Sequence, residues 1–160
     1  MLSEGRRWWI TANSDSHIHY SEGGIDFWPG EYSKTYVLAS RTHADVIDGI
    51  RNGRVFVTTG DLISELFVSV KSGDQTAEIG GQLIVDPDED VIIEIRFRQP
   101  TKPNAGGFKT PVARVDLIVG EVKGKYVDLW TDRTVDTEVL QRFTSWNLEG
   151  TLQVVRYNLD

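Results

Sequence analysis

Short segments with strand-like alternation dominate the chain from Arg54 onward. In DVIIEIRFR, residues 90–98, apolar side chains alternate with mainly charged ones, the period-2 pattern of a sheet with one solvated face. Turn signals rich in Gly, Pro, Asn and Asp separate the segments. About seven short strands at this spacing predict an antiparallel, immunoglobulin-like β-sandwich over residues 61–160. The remaining segments are RVFVTTG (54–60), LISELFVSV (62–70), VARVDLIVG (112–120), KYVDLW (125–130), TEVLQRFTSW (137–146) and GTLQVVRYNL (150–159).

The first 60 residues have a different pattern. RWWITA at 7–12 and KTYVLA at 34–39 are rich in aromatic and β-branched residues and predict two strands. A capping-box pattern at Thr42 begins the one convincing helix, and Asn52-Gly53 supplies its left-handed stop. This order of elements predicts a small α/β piece.

The predicted division of the chain falls at Gly60-Asp61, with an α/β domain over 1–60 and the sandwich over 61–160. The fold class predicted for the whole chain is therefore α+β. Two strands and one helix cannot bury their own apolar faces and sheet edges. We therefore expect the first domain to be a remnant of a larger α/β domain that precedes residue 1.

Charge and composition exclude several classes of partner. The chain has 24 acidic and 17 basic residues, a formal charge of −7, whereas nucleic-acid backbones are bound by Lys and Arg. No apolar run approaches the ~18 residues of a membrane span, and the N-terminus does not resemble a signal peptide. We expect neither nucleic acid nor membrane as a partner, and the compartment stays unassigned. The absence of Cys excludes disulfides and thiolate sites.

The chemistry-bearing residues concentrate in ANSDSH, residues 12–17. Asp15 and His17 follow the first predicted strand and are two residues apart, which places a carboxylate and an imidazole on one side. Such a mixed O and N pair suits zinc or manganese. Most Asp-x-His tripeptides are solvated loop residues bonded to nearby backbone, so that interpretation stays open beside the metal site.

Three segments carry a resemblance to a known family. ANSDSH, DFWPGEYSKTYV at 26–37 and DVIDGIRNGRVFVTTGDLI at 45–63 resemble the C-terminal part of metal-dependent hydrolases of the polymerase and histidinol phosphatase (PHP) superfamily, in particular the carbaryl-hydrolase-like branch. The resemblance covers residues 8–70 and is only architectural over 71–160. It implies the last βαβ-like piece of an α/β PHP barrel, followed by an appended β-sandwich.

The resemblance also assigns site residues. Asp15 and His17 match the last metal-binding motif of the superfamily, whose remaining ligands would precede residue 1. A competing alignment matches DSHIHYSEGG to the superfamily's first motif and makes His17 and His19 the ligands. The late motif fits better, because its helix and strand follow as expected. His19 is then a secondary candidate for proton transfer or for support of the ligands.

The function implied is that of a C-terminal fragment of a phosphoesterase or related ester or carbamate hydrolase acting on a small molecule. A divalent metal (Zn, Mn or Fe) would form hydroxide in the full-length protein, with the missing N-terminal barrel as intramolecular partner. The fragment alone is expected to bind metal weakly and to be inactive or weakly active.

The alternative is a non-catalytic β-sandwich module for packing, homo-oligomerisation or ligand binding. Carbohydrate binding is a third hypothesis, which needs two or three Trp rings on one sandwich face.

Overall fold

The computed structural model describes residues 4–17, 28–124 and 137–159. Within these ranges the chain is mostly β, with three antiparallel sheets and one short helix. No helix there is long and apolar enough to cross a membrane. The elements in chain order are β1 (Ser33–Val37), α1 (His43–Arg51), β2 (Val55–Thr59), β3 (Glu65–Ser72), β4 (Gln75–Glu78), β5 (Val91–Arg98), β6 (Val115–Gly120), β7 (Thr137–Phe143), β8 (Asn147–Glu149) and β9 (Leu152–Leu159).

The described residues divide between two compact units. One falls within Met1–Trp8 and Ala113–Ser145, and the other within Trp9–Val112 and Trp146–Asp160. The first holds the β6–β7 pair, in which Arg142 donates hydrogen bonds of 2.8 and 3.0 Å to the two carboxylate oxygens of Asp116. These bonds lower the pKa of Asp116. The other unit contains the β1–β2 pair, α1, the five-stranded sheet and the cavity described below.

The five-stranded sheet has the order β4-β3-β5-β9-β8, and the adjacent strands β5 and β9 carry the core. The buried apolar side chains of β5 and β9 are Ile95, Phe97, Val154 and Val155. The ring of Trp146 meets Phe97 edge to face, with centroids 5.2 Å apart. On β5 the alternating residues Ile95 and Phe97 are buried on one face of the sheet, whereas Ile92 on the other face is 40% exposed.

One charged residue of β5 is also buried. Glu94 is 8% exposed and lies opposite Arg156 of β9 in the sheet register. Arg156 Nε donates to Glu94 at 2.6 Å, and its terminal nitrogens donate to Glu149 at 2.7 and 3.1 Å. Because the buried carboxylate is paired and hydrogen-bonded, the sheet tolerates it.

Strands β1 and β2 pair antiparallel, from Ser33 opposite Thr59 to Val37 opposite Val55. Helix α1 lies in the connection between them. Thr42 caps it, accepting a bond from the Asp45 N–H at 3.2 Å. The capping-box prediction is half right, because the Asp45 carboxylate accepts from the Ser40 N–H and does not return to Thr42.

The predicted fold class is wrong, because no α/β barrel portion is evident in the described ranges. A βαβ piece of such a barrel needs parallel strands on either side of a crossover helix. Here Leu38 donates to the Arg54 carbonyl and Arg54 donates to the Gly49 carbonyl, both at 2.9 Å, so the ladder runs directly into the end of α1. The helix is the connection of an antiparallel pair. Strand-helix-strand order alone cannot distinguish this arrangement from a crossover.

The strand predicted at 7–12 is also wrong. Residues 6–16 are irregular, and Trp8 and Ile10 are 57% and 72% exposed. The segment is bonded by side chains and not by a ladder: the Thr35 hydroxyl accepts from Ala12 N–H at 2.8 Å and donates to its carbonyl at 2.9 Å. Trp9 Nε1 donates to the Arg51 carbonyl at 3.0 Å, at the end of α1.

Two strands were not predicted. β4 and β8 are only four and three residues long and carry almost no apolar alternation. They form because they complete ladders with β3 and β9. The predicted strand at 125–130 lies outside the described residues.

Candidate functional site

The two predicted metal ligands lie on an irregular segment. Asp15 and His17 are both exposed, whereas Ser14 between Asn13 and Asp15 is buried. Asp15 has a left-handed backbone, φ 55°, and its N–H donates to Asn13 Oδ1 at 2.9 Å. This is an Asx turn whose accepting side chain is Asn13, and Asp15 contributes only its backbone N–H to it. His19 lies outside the described residues.

The donor set near Asp15 and His17 does not make a metal cage by itself. Over residues 4–17, 28–124 and 137–159, no three His, Asp or Glu side chains are grouped so that they could hold a metal ion. A catalytic zinc takes three protein ligands and a structural zinc four. The described residues therefore supply at most the pair Asp15 and His17, which is the share of the ligands that the PHP resemblance assigns to this chain, and the metal-ligand assignment stays a prediction.

This geometry predicts weak metal binding. Titrating the metal-free chain with Zn²⁺ in a calorimeter should give a Kd weaker than about 10 µM, because two exposed donors supply too few bonds. The His17→Ala variant should give the same weak isotherm within a few-fold. Stoichiometric nanomolar binding that His17→Ala abolishes would contradict this expectation and support the predicted ligand pair.

A cavity lies between the β1–β2 pair and the five-stranded sheet, within one compact unit. Its volume is about 180 Å³, and mostly apolar residues line it. Leu38 and Phe67 in its lining are partly exposed, so the cavity opens to solvent. The lining residues are Tyr36, Val37, Leu38, Arg54, Val55, Phe56, Ser64, Glu65, Leu66, Phe67, Val68, Ser69, Glu78, Ile79 and Arg96.

Aromatic rings form two of the cavity walls. Tyr36 and Phe56 are directly opposite each other in the β1–β2 register, and their rings stack with centroids 4.7 Å apart and planes 1° apart. On the facing sheet, Phe67 of β3 lies opposite Arg96 of β5, whose guanidinium carbon is 5.5 Å from the ring centroid. Cross-strand pairing thus places flat apolar surfaces on both sides of the space.

Beside the cavity, the backbone of the loop after β4 comes very close to the end of α1. Gly80 follows Glu78 and Ile79 of the lining and has φ +83°. A Cβ at Gly80 would lie 2.1 Å from the Asn52 carbonyl oxygen, at the end of α1. The loop after β4 can therefore reach the helix end only with glycine at this position.

The charged side chains of the lining are mostly paired. Arg54 Nη2 donates to Asp48 at 2.7 Å and lies 3.9 Å from Asp45. The pKa of Asp45 is lowered, first by its hydrogen bonds with Ser40 and further by the positive charge of Arg54. The Glu65 carboxylate accepts bonds of 2.7 and 3.3 Å from Arg98.

Arg96 belongs to a second ionic group beside the cavity. It lies 3.4 Å from Glu94, which also binds Arg156, which in turn binds Glu149. The hydrogen bonds from Arg156, and more weakly the charges of Arg156 and Arg96, lower the pKa of Glu149.

No pattern in the sequence predicts this cavity. A partial signal was present, because Phe56 and Phe67 each stand in a segment predicted as a strand. The pairing that brings these strands to opposite walls is long-range, and periodicity does not encode it.

Comparison with known proteins returned no match, whether to a protein-family model, to a curated protein or to a solved structure.

Proposed function

We propose that this chain is a non-catalytic, β-rich module that binds a small apolar molecule in the cavity between the β1–β2 pair and the five-stranded sheet. The observation that carries the proposal is the cavity itself, a space of about 180 Å³ with aromatic walls. Well-formed apolar pockets with a few polar groups are the usual sites of small-molecule binding.

The size of the cavity indicates the size of the ligand. An apolar protein cavity of about 150 Å³ holds benzene. A space of about 180 Å³ therefore suits a single six-membered ring with one small substituent. The opening beside Leu38 and Phe67 gives such a molecule a route from solvent.

The groups around the cavity suit binding better than proton transfer. Glu65 is held by two hydrogen bonds from Arg98, and Arg54 is bound to Asp48. A general acid or base has to lie within hydrogen-bond reach of the substrate atom on which it acts, and these side chains are already bound to partners on the protein. The hydrolase hypothesis stays a prediction that depends on Asp15 and His17.

A titration with toluene tests the proposal. Chemical-shift changes in the ¹⁵N-labelled chain should saturate with a Kd of roughly 0.1–1 mM, the range expected for a ligand of so few atoms. The shifting amides should belong to β1, β2 and β3.

Two serine variants make the test specific. Ser69 lines the cavity, so Ser69→Leu should occupy part of the space and weaken toluene binding at least tenfold. The same change at Ser145, an exposed residue between strands β7 and β8 and outside the lining, should leave the Kd unchanged. Shift changes that do not saturate, or that Ser69→Leu leaves intact, would refute the proposed function.

A further inference from the structure

Of the two arginines that line the cavity, Arg96 is the one whose hydrogen-bonding capacity is less used. Its Nε lies 3.4 Å from Glu94 Oε1, an ion pair, whereas Glu94 makes its shorter contact, 2.6 Å, with Arg156. Within the described ranges, the two terminal nitrogens of Arg96 make no hydrogen bond. A guanidinium has five N–H donors, so most of those of Arg96 are available to a ligand.

The position of Arg96 makes these donors useful to a ligand in the cavity. Its guanidinium carbon is 5.5 Å from the Phe67 ring centroid, and both residues belong to the lining. A guanidinium that packs on an aromatic ring keeps its in-plane N–H groups free to bind a carboxylate in a bidentate manner. An apolar wall and an anion-binding group therefore lie side by side.

The charges nearest Arg96 balance, because Arg96 and Arg156 face Glu94 and Glu149, so an anion would be held by the unused N–H donors of Arg96 and not by a net positive charge. The other charges of the lining are paired or exposed. Arg54 is paired with Asp48, and Glu65 is paired with Arg98. Glu78 has no ion pair with another described residue, but it is exposed, and water screens an exposed charge. The chain as a whole carries −7, so any preference for an anion has to come from the donors of Arg96 itself.

We propose that the ligand of this cavity is a small apolar acid, a single ring that carries one carboxylate, with the carboxylate bound by Arg96. The ring occupies the space between the Tyr36–Phe56 stack and Phe67. This inference rests on the proposed function and adds the charge of the ligand to it.

Benzoate and benzamide test the inference, because they share shape and differ in charge. By NMR titration at low salt, benzoate should bind about fivefold more tightly than benzamide, the gain expected from one partly exposed charge pair. Raising the salt concentration to about 0.5 M should reduce this ratio toward one without changing benzamide binding.

Two charge variants complete the test. Arg96→Gln should abolish the preference for benzoate and leave the Kd of benzamide within twofold. Glu78→Gln, which removes a lining charge of the opposite sign, should leave benzoate binding equal or tighter. If Arg96→Gln fails to fold, the salt dependence of the native chain tests the inference, and a preference for benzoate that does not fall with added salt overturns it.

The outcomes separate this inference from the proposed function. Equal, saturable binding of benzoate and benzamide overturns the acid preference and leaves the binding function standing. Benzylamine binding that exceeds benzoate binding and depends on Glu78 overturns it in favour of a cationic ligand. Failure of every ring compound, toluene included, overturns both.

Discussion

Replacing Phe97 by alanine should lower the free energy of unfolding by about 3–5 kcal/mol, the range for Phe→Ala in a packed core. Phe97 is 2% exposed, lies on the central strand β5 and packs edge to face against Trp146. Alanine would leave a void between β5 and that indole ring. Since small domains are stable by only about 5–15 kcal/mol, this loss removes much of the total.

Urea denaturation of the native chain and the variant measures the effect. Phe108→Ala is the matched control, because Phe108 is 70% exposed and its truncation should change the unfolding free energy by less than about 0.5 kcal/mol. A loss below about 1 kcal/mol for Phe97→Ala would show that the core does not lie on β5 and β9.

The second large effect is expected from Gly80→Ala, with a loss of about 2–5 kcal/mol. Two causes add. The left-handed backbone of Gly80, φ +83°, disfavours a side chain, and the new Cβ would lie 2.1 Å from the Asn52 carbonyl oxygen. To relieve this overlap, the loop after β4 must move away from α1. Because Glu78, Ile79 and Arg54 line the cavity on either side of that contact, we also expect toluene binding to be lost.

Gly107→Ala separates the two causes. Gly107 has nearly the same φ, +81°, but no atom lies within 4 Å of its added Cβ. This control should lose only the backbone term, about 1–2 kcal/mol, and should still bind toluene. Equal losses for Gly80→Ala and Gly107→Ala in thermal or urea unfolding would show that the close approach to α1 contributes nothing.

Local sequence signals predicted local structure well. The helix begins after Thr42 and ends at Asn52-Gly53 because its caps are encoded within a few residues of each end. Strand β5 was predicted from its own alternation. The short strands β4 and β8 were not, because they are polar and exist through ladders with β3 and β9.

The pairing and the relative direction of strands that are distant in the chain could not be predicted from local sequence patterns. The direction of β2 relative to β1 depends on how the chain leaves α1, and strand-helix-strand order is the same for parallel and antiparallel pairs. The aromatic segment at 7–12 has strand propensity without a partner strand, so Trp9 packs on the end of α1 instead.

For the candidate sites, too, only the residues that are neighbours in the sequence could be predicted. Asp15 and His17 were found because they are neighbours in sequence, but no third donor joins them among the described residues. The cavity combines residues of β1, β2, β3 and β5, which no local motif marks. The alternation of β5 predicts that Arg96 faces solvent. Only the packing of the β1–β2 pair places Arg96 beside an apolar cavity.

The most direct test of the binding function is to locate bound toluene by intermolecular NOEs in a methyl-labelled sample. Toluene bound in the cavity should give NOEs from its ring to the methyl groups of Leu38 and Ile79 and to the Phe67 ring, all in the cavity lining. Methyl groups outside it, such as those of exposed Ile84 and Ile118, should show none. NOEs to such surface methyl groups without any to the cavity, or no NOEs at all at saturating toluene, would contradict binding in the cavity.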